Sequence, residues 1–97
     1  MIVEISVVPI GVGESLSRYI AVAIQVLSKM GLKFELNPMG TVFEVGDFQK
    51  LAEVLEEIDR SLFESGSPRN YFVVKIDHRK KGGKMEDKVR SVIQKTK

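Results

Sequence analysis

Cysteine and tryptophan are both missing from this 97-residue chain, and histidine occurs once. Without cysteine there is no disulfide, thiolate metal site, thiol nucleophile or iron–sulfur cluster, and no need for an oxidising compartment. A lone imidazole, with no converging set of carboxylates in the spacing, gives no metal-ligand pattern. Long apolar runs are missing as well. The longest span a few residues, as at Ile20 to Ile24, far short of a membrane crossing. The opening MIVEISVVPI carries Glu4 and no basic stretch, so it does not read as a secretory signal. The expectation is a cytoplasmic protein with no membrane partner.

What is present is ordinary for a folded chain: 43% hydrophobic and 29% charged residues, outside the disordered range. The length predicts one domain over 1–97, able to bury roughly 60–70% of its unfolded surface around one core. The net charge of +2 is unevenly spread. Residues 75–97 hold nine Lys or Arg against three acids, whereas residues 1–74 hold six against ten. An acidic body therefore carries a basic tail. The tail reads as a solvated helix; as a nucleic-acid patch it lacks interleaved aromatics on which bases would stack.

Periodicity sets the elements. Val3, Ile5 and Val7 alternate with Glu4, Ser6 and Val8, predicting a strand over 2–10. Leu16, Ile20, Ala23, Ile24 and Leu27 recur at helical spacing over 14–30, with Tyr19, Val26 and Met30 widening the apolar surface toward a helix with two buried sides. Gly31 stops it. Residues 32–37 and 41–46 alternate around Asn37-Pro38-Met39-Gly40, a hairpin. Asp47 is placed to cap a helix over about 48–65, whose stripe is Phe48, Leu51, Leu55, Ile58 and Leu62. A strand over 69–79 and a short helix from Met85 to about 95 complete the chain.

The order βαββαβ plus a C-terminal helix predicts an α+β, ferredoxin-like sandwich with a four-stranded antiparallel sheet in the order 4-1-3-2. Two helices cover one sheet face. The other, with Glu4, Ser6, Val8, Glu35 and Asn37, is left open unless the last helix folds over it. An open face and a long edge strand both invite another chain, so self-association to a dimer or tetramer is expected.

Catalytic chemistry is thin. His78 reads as an exposed strand end, and Glu53, Glu56 and Glu57 as a solvated helix face. No nucleophile or base stands out, and no enzyme activity or cofactor is expected. Gly11-Val12-Gly13 lies between a strand and a helix, as a phosphate loop would, but lacks the rest of either nucleotide fingerprint. It reads first as a turn with Ser15 as cap, although Ser15 and Ser17 would put hydroxyls near free backbone N–H groups. Asn37, Thr41 and Glu44 cluster on the hairpin, with Thr41 and Glu44 on opposite faces unless a bulge intervenes. The same topology serves RNA recognition motifs, but their third-strand signature wants positive charge where this chain has Glu44. That argues against nucleic acid.

The segments VVPIGVGESLSRYIA at 7–21, GLKFELNPMGTVFE at 31–44 and KIDHRK at 75–80 resemble, in order and spacing, the small thiamine-binding protein family (YkoF-like). The likeness covers nearly the whole chain; His78 stands where many relatives would carry an acid. The resemblance implies the ferredoxin-like fold, assembly into dimers and tetramers through sheets, and binding of thiamine or its pyrimidine part near a subunit interface, with no reaction. Thiamine needs an apolar wall, hydrogen-bonding partners for its aminopyrimidine and a carboxylate for its cationic thiazolium. Glu4, Ser6, Ser15, Ser17, Asn37, Thr41 and Glu44 are the candidate ligand-binding residues, with Phe43 as a wall if it lies outside the core. The competing expectation is a regulatory or scaffold module that uses its open sheet for protein contacts.

Overall fold

A computed structural model describes residues 1–14 and 16–97. The chain runs β1 (Ile2–Pro9), α1 (Ser17–Lys29), β2 (Phe34–Asn37), β3 (Gly40–Glu44), α2 (Phe48–Glu64), β4 (Asn70–Asp77) and α3 (Met85–Lys95). The four strands form one antiparallel sheet in the order β2-β3-β1-β4. This is the ferredoxin-like arrangement expected from the pattern, with β2 and β4 at the edges.

The pleat sorts the residues as the alternation requires. Val3 and Ile5 of β1 and Thr41 and Phe43 of β3 are buried beneath α1 and α2. Tyr19, Ala23, Val26 and Leu27 of α1 and Leu51, Val54, Ile58 and Leu62 of α2 close the core. Phe43 is 0% exposed and belongs to this core, so it is not a wall of any binding site. Asp47 caps α2 by accepting a hydrogen bond from Lys50 N at 2.7 Å. Gly31 takes φ of +70° just past the end of α1, where a side chain would be strained.

Three expectations need correction. The first helix begins at Ser17 with Leu16 in the capping position and no side-chain cap; Ser15 lies outside the described residues. The buried side of α1 is centred on Tyr19, Ala23, Val26 and Leu27, with Ile24 partly buried against the core and Ile20 exposed. The stripe of α2 uses Val54, while Phe48 is exposed and packs edge-to-face against His78 at 5.6 Å. In both helices the apolar surface is broader than the core, and the position of the sheet decides which part is used.

α3 does not cover the open sheet face. It lies at the end of the sheet, where Lys88 pairs with Asp77 and Lys33 pairs with Glu86. The face turned away from α1 and α2 leaves Tyr71 56% and Val73 44% exposed.

Candidate functional site

The site grows out of unequal strand lengths. β1 pairs with β4 along its whole length, from Ile2↔Asp77 to Pro9↔Asn70. Its pairing with β3 stops at Ile5↔Thr41, because β3 begins at Gly40. Residues 6–9 therefore overhang the hairpin. On that side their main-chain groups have no ladder partner, and α1 passes above. The result is a notch closed by the hairpin turn, a cavity of about 280 Å³.

Its lining joins residues far apart in sequence. Ile20, Ile24 and Leu27 of α1 with Leu36 of β2 form apolar walls. Ser6, Asn37 and Thr41 also line it. One side of α1, from exposed Ile20 to core Leu27, is thus one wall of this cavity. Thr41 is only 7% exposed, so its hydroxyl sits at the sheltered end. The volume lies at the small end of ligand pockets, roughly 300–1,000 Å³, and suits one ring better than a large ligand. A shallower depression adjoins it, sharing Ile20, Ile24, Leu36, Asn37 and Pro38, with Ser17 on its border.

The other candidates stand elsewhere. Glu4 is on the open face, two residues from Ser6, with its carboxylate 3.7 Å from Lys75 Nζ. It leans on Gly40: a Cβ there would lie 3.4 Å from Glu4 Cγ and 3.0 Å from the Ile5 carbonyl oxygen. The absence of a side chain at Gly40 is what lets the hairpin approach β1 so closely. Glu44 is at the opposite end of β3, its carboxylate 3.9 Å from Lys33 Nζ. Four residues of extended strand separate it from Gly40, roughly 13 Å. Ser15 lies outside the described residues. The structure therefore brings Ser6, Asn37 and Thr41 together, sets Ser17 and Glu4 around them, and leaves Glu44 apart.

Sequence reasoning passed over the Leu36, Pro38 and Met39 lining and the role of the overhang. No local pattern carried a signal for the overhang, because it depends on where β3 stops along β1, a long-range register. Also passed over was a half-buried clamp at the other side of the sheet. Ser67 Oγ donates to Asn70 Oδ1 at 2.5 Å, and Asn70 Nδ2 donates to Asp59 Oδ1 at 2.9 Å and to the Asp59 carbonyl at 3.3 Å. It ties the start of β4 to α2.

The larger depression, about 820 Å³, follows the groove between α1 and α2. Its border is Glu53, Glu56 and Glu57 with Arg60, which pairs with Glu57 and Glu64. The hydrogen bonds that Arg60 donates to the Glu57 carboxylate raise the Arg60 pKa above its ordinary value. These are solvated helix faces on which Glu53, Glu57, Arg60 and Glu64 are already in ion pairs, a poor match to a pocket for an aromatic ligand. Among the described residues no group of three or more acids and imidazoles could hold a metal ion, and no helix is long and apolar enough to cross a membrane.

Comparison with known proteins places the chain in a family. A Methanothermobacter thermautotrophicus protein, UPF0045, is 36% identical over 94 residues, covering 95% of each chain. The crystal structure of a Methanocaldococcus jannaschii protein superposes with a TM-score of 0.83 at 35% identity, covering 94% of this chain and 93% of that one. A Thermotoga maritima structure, named as a candidate thiamine biosynthesis/salvage protein, superposes with a TM-score of 0.80 at 32% identity, covering 94% and 96%. The family model for thiamine-binding protein matches residues 3–93, and on that match the chain belongs to the thiamine-binding protein family.

Proposed function

We propose that this protein binds thiamine, or a related pyrimidine-containing molecule, in the hairpin cavity without turning it over. One observation carries the reading. Ser6, Asn37 and Thr41, each with a hydrogen-bonding side chain, all border one small apolar-walled cavity in a chain of the thiamine-binding family. An aminopyrimidine is flat, largely apolar on its faces and polar on its edge, which is the complement of that lining. The unpaired main-chain groups of the β1 overhang add donors and acceptors. Ser17 borders the adjoining depression, and Glu4, beside Gly40, is the carboxylate we assign to the cationic end of the ligand. The site lies at or near a subunit interface of a dimer or tetramer, and the protein acts as a cytoplasmic carrier or sensor.

Isothermal titration calorimetry with thiamine tests this, with thermal melting and light scattering on the same sample. The expected result is micromolar or tighter binding to an oligomer, with a matching rise in melting temperature. No heat and no thermal shift on a well-folded sample would overturn the thiamine reading. The exposed Tyr71 and Val73 would then favour a scaffold module that works through its open sheet face.

A further inference from the structure

The end of the sheet away from the hairpin cavity gathers positive charge. After β4 the chain reads His78-Arg79-Lys80-Lys81-Gly82-Gly83-Lys84 and then enters α3. Gly82 N closes a turn by donating to the Arg79 carbonyl at 2.9 Å, with Gly82 at φ +76°, a conformation that favours glycine. Arg79 folds back over the turn: a Cβ on Gly83 would lie 3.6 Å from Arg79 Cδ and 4.0 Å from its Nη1. The turn and α3 border a cleft of about 680 Å³. Arg79, Lys81, Lys84 and Lys88 line it against one acid, Asp87. Lys84, Lys88 and Ser91 follow one another at helical spacing, so one side of α3 faces the cleft.

These cations differ in what already holds them. Lys88 pairs with Asp77, and Asp87 is drawn to Arg90 at 3.5 Å. Arg79, Lys81 and Lys84 make no ion pair among the described residues. The start of α3 adds donors. Lys84 stands in the capping position without a side-chain cap, which leaves N–H groups of the first turn open. Glu86, in that turn, pairs with Lys33 on the other flank of the helix. Three unpaired cations and an uncapped helix start thus meet at one cleft, the donor set of an anion site. The remaining lining is aliphatic. Ile2 and Val92 border it, Val92 being part of the stripe Val89, Val92 and Ile93 that α3 leaves exposed. The volume falls within the range of ligand pockets, roughly 300–1,000 Å³, and is more than a bare phosphate fills.

We propose that this cleft binds a small organic phosphate ester, with Arg79, Lys81 and Lys84 on the phosphoryl group and Ile2 and Val92 under the organic part. A guanidinium matches two phosphate oxygens at once, and the lysines act as point charges. The field of the chain favours this end for an anion, since residues 75–97 hold nine Lys or Arg against three acids and residues 1–74 hold six against ten. A nucleic-acid strand is the poorer fit, because single strands stack on aromatic rings and the apolar lining here is aliphatic. The hairpin cavity lies toward the other end of β1, so this inference is independent of which ligand fills it.

Phenyl phosphate is the probe, titrated into isotope-labelled protein at fixed ionic strength and followed by backbone amide NMR shifts. The expected result is saturable binding with shifts centred on Gly82, Gly83 and Met85. Inorganic phosphate should bind at least about fivefold more weakly, since it leaves the aliphatic lining unused. The double variant Arg79→Gln/Lys84→Gln should raise the phenyl phosphate dissociation constant at least about tenfold. Its melting temperature should be unchanged, because both side chains are exposed and unpaired. Lys95→Gln/Lys97→Gln removes the same charge outside the cleft and should change the constant less than about twofold. Equal losses in the two double variants would reveal diffuse attraction to the basic tail and overturn the proposal. So would inorganic phosphate binding as tightly as the ester, or no saturable shift at all. A DNA oligonucleotide that binds through Arg79 and Lys84 and is not displaced by phenyl phosphate would assign the surface to nucleic acid and overturn it as well.

Discussion

Replacing Thr41 with valine removes one hydroxyl from the sheltered end of the hairpin cavity and alters little else. Valine has nearly the same shape and is as well suited to a strand. Thr41 is 7% exposed, paired with Ile5 on one side and Leu36 on the other. The fold should therefore lose no more than about 1 kcal/mol, the scale of one net hydrogen bond. With thiamine bound, the same change leaves one ligand group without its partner. A net hydrogen bond contributes roughly 0.5–1.5 kcal/mol, so the dissociation constant should rise about 2- to 12-fold. Calorimetry gives the affinity, and a melt without ligand confirms that stability is little changed. Ala23→Leu is the companion: Ala23 is buried and lines the same cavity from α1. Its extra carbons occupy the space of the ligand, at a packing cost of about 1–3 kcal/mol, and binding should fall more than tenfold. If Thr41→Val binds within twofold of wild type and Ala23→Leu still binds normally, the ligand is not in this cavity.

The two glutamates separate by position. Glu4→Gln should weaken thiamine binding by about 2- to 5-fold, the scale of a partly exposed ion pair of roughly 0.5–1 kcal/mol, whereas Glu44→Gln, at the other end of β3, should leave the calorimetric affinity unchanged; a reversed order would move the cationic end to Lys33's neighbourhood. Asp77 makes the attachment of α3 sensitive to acid. Its hydrogen bond from Lys88, and then the charge of Lys88, hold its pKa below the ordinary aspartate value. The stabilisation is thus fully present above the unfolded pKa, near 4, and is lost as pH falls through the lower folded value. Melting temperatures followed downward from pH 6 should show this loss, and Asp77→Asn should reduce the slope below pH 4. Asn70→Ala leaves Ser67 Oγ and the Asp59 carboxylate without their partner and should cost about 1–3 kcal/mol in urea unfolding, with thiamine affinity unchanged.

The amino-acid order by itself determined the elements and their sequence. Alternation in Val3, Ile5 and Val7, the hairpin around Pro38 and Gly40, and the capping Asp47 act over a few residues, and local sterics and hydrogen bonding settle them. With every strand and helix in place, the ferredoxin-like order followed, as did the acidic body and basic tail. Only the tertiary structure decided which part of each broad apolar surface became core. On α1 it placed Tyr19 in the core and left Ile20 as cavity wall, because a helix with apolar residues on two sides is oriented by the sheet it meets. It likewise decided that Ser6, Asn37 and Thr41 share one cavity while Glu44, within the same matching segment, does not. That separation depends on where β3 stops along β1, a long-range register that no local pattern specifies. The place of α3, at the end of the sheet with its stripe in water, was decided in the same way, by pairings of Lys33 and Asp77 with residues of the tail far along the chain.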